Sequence, residues 1–351
     1  MPVERVLLAS PRGFCAGVEK AIKALAWMVR VFEPPVYCYH EIVHNRHVVE
    51  QFRAQGVVFV DSVDEVPAGA PLMLSAHGSA PEVVTAARDR GRIVVDAVCP
   101  LVTKVHHEMK VRTRKGYRVL YVGHEGHEEA VGTMAVAPEA VHLVQSERDV
   151  DAAAAEIPAG TPVALLAQTT LSHDEWSGIM AHAQERFPDL WMPGRSDLCF
   201  ATTNRQAALK AIAGRSDAVV VIGSVNSSNT RALEKVAAAI CPRVLRVNGA
   251  DEIPDDLVGT VGVTAGASAP DELVDAVVAR LAPRQGVEEV HVTDEDEYFP
   301  PPPELRELLK GLAAGLRLGL AGPAVEEEPG EGALAGDRFV SAADVLATLS
   351  R

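Results

Sequence analysis

Long hydrophobic segments are absent from this sequence. No apolar stretch approaches the roughly 20 residues that a helix needs to cross a bilayer. Residues 1–10 run into a predicted strand without a basic region followed by a hydrophobic segment, so they do not resemble a signal or transit peptide. We therefore expect a cytoplasmic protein that does not bind membranes.

Basic residues are scarce relative to acidic ones. Lys and Arg total 33 against 48 Asp and Glu, which gives a net charge of −15. Because nucleic-acid binding depends on neutralising phosphates with Lys and Arg, this balance argues against nucleic acid as a partner. Apolar residues make up 48 % and charged residues 23 %, the balance of a soluble globular enzyme, and 351 residues suit two or three domains.

Cysteines are also few, and no two of them form a C-x-x-C pair. There are five, and an odd number in a cytoplasmic chain of this size does not suggest a disulfide framework. The lack of C-x-x-C excludes zinc-ribbon and thioredoxin-like motifs. Any metal site must therefore combine cysteines that lie far apart in the sequence.

Two common nucleotide-binding motifs are missing as well. The chain has no G-x-x-x-x-G-K-[ST] segment and no G-x-G-x-x-G segment after a predicted strand. This disfavours ATP-dependent transfer and simple nicotinamide chemistry. Electrons, if the reaction needs them, must come from another protein.

Short apolar runs that alternate with helical patterns are what the sequence does contain. The clearest runs, rich in Val, Leu and Ile, are 5–9, 57–60, 72–74, 93–95, 118–122, 163–167, 218–222 and 260–264. Runs of this kind are typical of parallel strands buried on both faces. Helical patterns lie between them, and the alternation predicts an α/β fold with parallel sheets.

A weak repeat divides this pattern into three. Cys15, Cys99 and Cys199 each stand directly before a predicted helix, at intervals of about one small α/β domain. We infer three similar units, each offering one cysteine to a common centre. The predicted units are 1–99 (including the N-terminal strand), 100–196 and 197–284, followed by a segment 285–307 that closes the core and a partly flexible tail 308–351.

The three repeated cysteines are candidate metal ligands. A single Cys is most often a small buried hydrophobe, and Cys38 and Cys241 fit that description. Cysteines that precede helices differ, because the helix N-terminus stabilises a thiolate. Three thiolates would leave one iron of a four-iron cluster without a protein ligand, and they could also bind zinc. The spacing alone does not decide between the two.

Small polar residues and histidines follow many of the predicted strands. Ligands of open α/β sheets bind outside the carboxyl ends of the strands, and Ser, Asn and imidazole groups can hold a phosphate there. Such residues also cap helices, but capping explains His44, His77 and His127 poorly. Glu129 follows another strand, where it is either a proton donor in an enclosed site or part of a solvated acidic loop.

Eight of these segments together resemble one family, the 4-hydroxy-3-methylbut-2-enyl diphosphate reductases. The matching strings occur in family order over about residues 5–307: PRGFCAGV (11–18), HEIVHNR (40–46), SAHG (75–78), CPLVTKVH (99–106), QTTLS (168–172), CFATTNRQ (199–206), NSSN (226–229) and TAGASAP (264–270). Several motifs in order are far more specific than any single one.

The resemblance implies a fold, a cofactor and a reaction. Three α/β domains would form a trefoil around a [4Fe–4S] cluster held by Cys15, Cys99 and Cys199. The substrate hydroxyl would bind the open iron, and two electrons and two protons would give isopentenyl and dimethylallyl diphosphates with loss of water. The electrons would come from a protein such as ferredoxin or flavodoxin. The residues implied at the substrate are His44, His77, His127, Thr169, Ser227, Ser228, Asn229 and Ser268, and the implied catalytic residues are Glu129 and Thr170, which manage protons together with Thr169.

Two positions depart from the family pattern, and the tail lies outside it. The family usually has Pro before the catalytic Glu, where this chain has Glu128, and Gly where this chain has Ala135. A proline run at 300–303 and an acidic stretch at 326–332 suggest that the tail is an appendage, so truncation after Ala321 should preserve activity. Two other hypotheses remain from the residues alone: an iron–sulfur sensor or scaffold, and a zinc hydrolase.

Overall fold

The computed structural model describes residues 3–91, 93–194, 196–321 and 336–349. Its strands are β1 (Val3–Ser10), β2 (Val36–Tyr39), β3 (Val57–Val60), β4 (Leu72–Leu74), β5 (Val94–Asp96), β6 (Arg118–Val122), β7 (Val141–Val144), β8 (Val163–Ala167), β9 (Ala218–Ile222), β10 (Val244–Val247), β11 (Gly259–Ala265) and β12 (Val287–His291). Its helices are α1 (Ala16–Val31), α2 (Arg46–Ala54), α3 (Pro81–Arg90), α4 (Pro100–Arg114), α5 (Glu128–Met134), α6 (Glu147–Glu156), α7 (His173–Arg186), α8 (Phe200–Ala213), α9 (Ser228–Ala238), α10 (Asp271–Leu281), α11 (Pro303–Ala321) and α12 (Ala342–Leu349).

The strands form three parallel sheets, which confirms the predicted α/β class. The first sheet has the order β10-β9-β11-β1-β12, the second β3-β2-β4-β5 and the third β7-β6-β8. Every pair of neighbouring strands within them is parallel. Strands β8 and β9 are buried along their whole length, because helices cover both faces of their sheets. Their continuous apolar runs reflect that double burial.

Strand β1 lies in a different sheet from the one that its place in the sequence suggests. The predicted unit 1–99 includes it, but β1 pairs with β11 on one side and with β12 on the other, in register from Arg5 opposite Thr260 to Leu8 opposite Val263. The N-terminus therefore completes the sheet of the third unit. Within the described residues, the second sheet is built only from residues 36–96.

The described part of the C-terminal tail is packed into the core, contrary to the prediction of an appendage. Leu305 and Leu309 of α11 and Val345 and Leu346 of α12 are buried in the same cluster as the apolar face of α1. Burial of these side chains, and not local sequence, joins the tail to the first unit. The acidic stretch 326–332, predicted to be a flexible linker, lies outside the described residues.

A buried ion pair also ties the tail to α1. The Lys23 ammonium group donates to the Asp337 carboxylate at 3.0 Å and to the Val340 carbonyl at 3.2 Å, and the Lys23 and Asp337 side chains are 6 % and 7 % exposed. Ala342 N donates to Glu19 Oε2 at 2.6 Å. Removing the tail would take away these partners of Lys23 and uncover the apolar face of α1 against which α12 packs.

No helix in the described residues has both the length and the apolar composition required to span a membrane.

Candidate active site

One cavity lies where the carboxyl ends of strands from all three sheets meet. Every residue that the sequence singled out for the site lines it: Cys15, His44, His77, Cys99, His127, Glu129, Thr169, Thr170, Cys199, Ser227, Ser228, Asn229 and Ser268. These residues come from segments that are distant in the chain. Ligand binding at the carboxyl ends of parallel strands explains why the loops converge there.

Three of the cavity residues are cysteines at the starts of long helices. Cys15 is the N-cap of α1, Cys99 the N-cap of α4 and Cys199 the N-cap of α8. This is the repeated context that the sequence indicated. Cys38, on β2, and Cys241 are buried in apolar clusters and do not line the cavity.

The space between the thiols is kept open by a glycine. A Cβ atom added at Gly17 would lie 2.8 Å from Cys99 Sγ and 3.9 Å from Cys15 Sγ, so two of the sulfur atoms converge on this position. Cys199 Sγ accepts a hydrogen bond from Thr202 N at 3.2 Å. No fourth cysteine lines the cavity. The donor set thus fits a metal or cluster that takes three thiolates and keeps one position open.

Burial affects the ionisation of two of the three thiols. Burial raises the pKa of Cys99 and of Cys199 to about 12, and the hydrogen bonds from backbone N–H groups at the helix starts lower these values only in part. The helix N-terminus lowers these pKa values as the sequence predicts, but burial outweighs it at both residues. Metal binding would release their protons.

Three histidines form a second cluster on the cavity wall. The rings of His44 and His77 stack with 3.8 Å between centroids, and the His127 ring stands edge-on to both, 5.4 Å from His44 and 6.3 Å from His77. Both ring nitrogens of His44 and Nε2 of His127 are buried without a hydrogen-bond partner. Glu41 Oε2, at 3.6 Å from His44 Nδ1, is too far for a hydrogen bond.

Unpaired buried nitrogens of this kind point to a ligand. Burial lowers the pKa of His44, and it lowers that of His127 to about 2, with further lowering from the neighbouring histidines. Both rings are therefore neutral at pH 7 and can each donate one N–H group. An anion in the cavity would supply the acceptor that the protein does not provide.

The start of α9 supplies further polar groups. Ser227 is its N-cap and accepts a hydrogen bond from Thr230 N at 3.3 Å, and Asn229 Oδ1 accepts one from Ala267 N at 2.9 Å. Gln168 Nε2 donates to Ser228 Oγ at 3.0 Å. The hydroxyl and amide groups here are fixed by neighbouring backbone and side chains, and the free N–H groups of the helix face an anion site.

Ser268 closes the same wall from β11. Its hydroxyl donates to the His44 carbonyl at 2.8 Å, which links the loop after β11 to the segment that carries His44. Only 6 % of Ser268 is exposed. The hydrogen bond holds two units together beside the histidine cluster.

Glu129 and its two threonine neighbours form the protic part of the cavity. Glu129 accepts hydrogen bonds from Thr169 N at 2.7 Å and from Thr169 Oγ1 at 3.0 Å, and it is 3 % exposed. Burial raises its pKa to about 7, although the bonds from Thr169 oppose this. Thr170 Oγ1 accepts from Gln168 Nε2 at 2.9 Å. A carboxyl group with this pKa can hold or release a proton at neutral pH.

Several residues of the site were not singled out by sequence reasoning. Gln168 links Thr170 to Ser228 by two hydrogen bonds from its amide nitrogen, and Phe299 lines the cavity from the predicted closing segment. Glu128 contacts two histidines. Gln168 was within reach, because it opens the QTTLS string, whereas the contacts of Phe299 and Glu128 cross between units and leave no local signal.

Comparison with known proteins places this geometry in a family. The family model described as LytB protein matches residues 6–282. A 4-hydroxy-3-methylbut-2-enyl diphosphate reductase of Rhodopirellula baltica is 46 % identical over 317 residues, which cover 88 % of this chain and 98 % of the relative. A protein of the same name from Leifsonia xyli is 48 % identical over 314 residues, covering 88 % and 93 %.

A solved structure agrees with the sequence relatives. The E-1-hydroxy-2-methyl-but-2-enyl-4-diphosphate reductase from Plasmodium falciparum superposes with a TM-score of 0.86 at 30 % identity, covering 89 % of this chain and all of that one. The fold, the family model and the sequence relatives thus point the same way. The chain belongs to the LytB family, whose curated members are named 4-hydroxy-3-methylbut-2-enyl diphosphate reductase.

Proposed function

We propose that this protein reduces (E)-4-hydroxy-3-methylbut-2-enyl diphosphate to isopentenyl and dimethylallyl diphosphates. The allylic C–O bond breaks, two electrons and two protons are consumed, and the hydroxyl oxygen leaves as water. The observation that carries the proposal is one cavity that holds three thiols, unpaired histidine nitrogens and a carboxyl group with a pKa of about 7. The thiols can hold a redox cofactor, the histidines can bind an anion, and the carboxyl group can deliver a proton.

The cofactor that fits the three thiols is a [4Fe–4S] cluster. Cys15, Cys99 and Cys199 would hold it, and the cluster would supply the two electrons and a Lewis-acidic iron without a protein ligand. Gly17 leaves the room that the sulfur atoms need around them. The electron donor would be a ferredoxin or flavodoxin, and we place the protein in the cytoplasm with such carriers.

The diphosphate would be bound opposite the thiols. His44 and His127 offer buried N–H groups without a partner, and the N-terminus of α9 adds Ser227, Ser228 and Asn229. The neutral rings can donate to the phosphate oxygens. The Ser227 and Ser228 hydroxyls accept hydrogen bonds from Thr230 N and Gln168 Nε2, which leaves their own O–H groups to donate to the phosphate. This arrangement holds the allylic end of the substrate toward the thiols and Glu129.

Glu129 would deliver the proton that the leaving hydroxyl needs. Hydroxide is a poor leaving group, and a protonated carboxyl group in a closed cavity can supply the proton as the C–O bond breaks. Thr169 orients Glu129 through two hydrogen bonds, and Thr170 presents a hydroxyl beside it. The negative charge of the diphosphate would favour the protonated form of Glu129 further.

Iron and sulfide content of cysteine variants tests the assignment of the cluster. Cys15→Ser, Cys99→Ser and Cys199→Ser should each lose most bound iron and sulfide after anaerobic purification. Cys38→Ser and Cys241→Ser, which alter buried thiols outside the cavity, are the matched controls and should keep both. A colourless wild-type protein that contains zinc, or equal iron in all five variants, would contradict the assignment.

A further inference from the structure

Glu128 is joined to two histidines beside the diphosphate site. Its Oε2 atom lies 2.8 Å from His77 Nδ1, and its Oε1 atom lies 2.9 Å from His40 Nδ1. The Ser75 hydroxyl donates to Oε2 at a longer 3.5 Å. Glu128 precedes Glu129 but points away from it, toward a different group of side chains.

The carboxylate of Glu128 is ionised. Burial would raise its pKa, but the hydrogen bonds from His40 and His77 outweigh burial and hold that pKa well below its usual range. An ionised carboxylate accepts hydrogen bonds and donates none. Nδ1 of His77 must therefore carry a proton that points at Glu128.

This fixes a difference among the three histidines of the cavity. His127 Nδ1 accepts from Glu129 N at 3.2 Å, so its proton is on Nε2, the nitrogen without a partner. Neither ring nitrogen of His44 has a hydrogen-bond partner, so either one can carry the proton. His77 alone has its Nδ1–H committed to Glu128, so it can donate from Nε2 to an anion only when both of its nitrogens are protonated.

We propose that Glu128 is a positioning residue that holds His77 as an imidazolium in the diphosphate complex. The inference rests on the proposed function and adds one fixed positive charge to its anion site. The diphosphate on one side of the ring and the carboxylate on the other both stabilise that charge. Glu128 does not contact the substrate directly and acts only through its hydrogen bond with His77.

Among the described residues, the groups around His77 do not supply the same positive charge in another way. One ring nitrogen each of His44 and His77 and a carboxylate oxygen of Glu128 lie within 4.8 Å of one another, but the two rings are inclined by only 9°, so their in-plane lone pairs run nearly parallel, which is unfavourable for binding a single metal ion. The titratable groups that surround the three histidines and Glu128 are Cys38, Tyr39, His40, Glu41, Asp61, His106 and His124. Burial lowers the pKa of His106 to about 4, so this ring stays neutral through the pH range of the test.

Binding of inorganic pyrophosphate to the cluster-loaded protein tests the inference. Dissociation constants would be measured by calorimetry at pH 6 and pH 8 for the wild type, Glu128→Gln and Glu128→Pro. Proline suits the first position of α5, so the second variant removes the carboxylate without disturbing the helix start. The ratio between proteins at one pH cancels the protonation of pyrophosphate itself.

We expect both variants to bind pyrophosphate at least about tenfold more weakly than the wild type at pH 8, the scale of one charge-assisted hydrogen bond. Protonation of histidine is favoured at the lower pH in every variant, so the gap should close to within about threefold at pH 6. With substrate, the loss at pH 8 should appear mainly in KM and much less in kcat.

A control separates this role from a structural one. His40→Asn removes the other partner of Glu128, and Asn tolerates the φ of +58° at that position. It should leave the pH profile of binding close to that of the wild type, whereas a purely structural role for Glu128 would make it behave like Glu128→Gln. Equal pH profiles in the wild type and Glu128→Gln would overturn the inference and leave the proposed function intact. A wild type that binds no pyrophosphate would overturn both.

Discussion

Replacing Glu129 with Gln isolates the cost of burying a charge in this cavity. The Gln oxygen can keep the hydrogen bond from Thr169 N, and the amide nitrogen can donate to Thr169 Oγ1, because a hydroxyl both donates and accepts. The substitution thus removes the ionisable group while both hydrogen bonds remain possible. Any change in the pH dependence of stability then reports the ionisation of Glu129.

The size of that effect follows from the raised pKa. Glu129 titrates near 7 in the folded protein, against 4.5 for an unburied Glu. Because the folded value is the higher one, the unfolded chain releases its proton first as pH rises, and the wild type loses stability between pH 4.5 and 7. At 1.36 kcal/mol per pH unit the loss amounts to about 3 kcal/mol, of which about 2 kcal/mol develop between pH 5.5 and 8.5.

Denaturant unfolding of both proteins at pH 5.5 and 8.5 measures this difference. Glu129→Gln should gain about 2 kcal/mol relative to the wild type on going from the lower to the higher pH. Glu125→Gln removes a carboxylate from an exposed position of the same loop and serves as the control, with no comparable gain. A constant difference between Glu129→Gln and the wild type at the two pH values would refute the raised pKa.

The other predictions concern turnover, the tail and the space around the thiols. Glu129→Gln should keep its cluster and bind substrate, but its single-turnover rate should fall roughly 10²–10⁴-fold. Glu128→Gln should show a much smaller loss in kcat. A larger loss in Glu128→Gln than in Glu129→Gln would contradict the assignment of Glu129 as the proton donor. Truncation after Ala321 should abolish soluble protein, because it exposes the apolar surface that Val345 and Leu346 cover and removes the Asp337 partner of Lys23; an active, soluble fragment would show the tail to be dispensable. Gly17→Ala places a methyl group 2.8 Å from a thiol sulfur and should lose most bound iron while circular dichroism stays unchanged; full iron content would argue against convergence of the thiols there.

The sequence predicts buried strands well and pairing between distant strands poorly. Strands β3, β4, β6, β8 and β9 have the predicted limits. Continuous apolar runs are typical of strands covered on both faces, although β3, an edge strand, leaves Val58 exposed. Strand β12 alternates exposed and half-buried residues at the edge of its sheet and was not predicted. The pairing of β1 with β11 joins residues more than 250 positions apart, and no local pattern encodes it.

The membership of the site was predictable, but its electrostatics were not. The motif strings and the polar loops after strands led to every predicted residue that now lines the cavity. Burial determines the protonation states of the site: it raises the pKa of Cys99 and of Glu129 and lowers the pKa of His127. Burial in turn depends on how the three sheets and their helices pack together, which no local pattern encodes. The link from Glu128 to His77 arises in the same way, since it joins loops of two sheets.

The same packing explains why the sequence predicts an appendage where the structure has a tail packed against α1. The pattern of residues 341–349 predicts a short helix, and α12 is that helix. Its apolar positions do not reveal which surface they cover, and the partner of Asp337 is Lys23, at the other end of the chain. The proline run precedes α11 and the acidic stretch precedes α12, and neither pattern indicates how α12 packs.

Turnover by the anaerobically purified protein tests the central claim most directly. The measurement combines the allylic diphosphate with a chemically reduced artificial electron donor and quantifies both five-carbon diphosphate products per bound cluster, with Cys199→Ser as the control. We expect the wild type to be brown and to form isopentenyl and dimethylallyl diphosphates over repeated turnovers, and we expect Cys199→Ser to form neither product. A brown protein that changes its spectrum on reduction but releases no product would indicate a redox sensor and contradict the account.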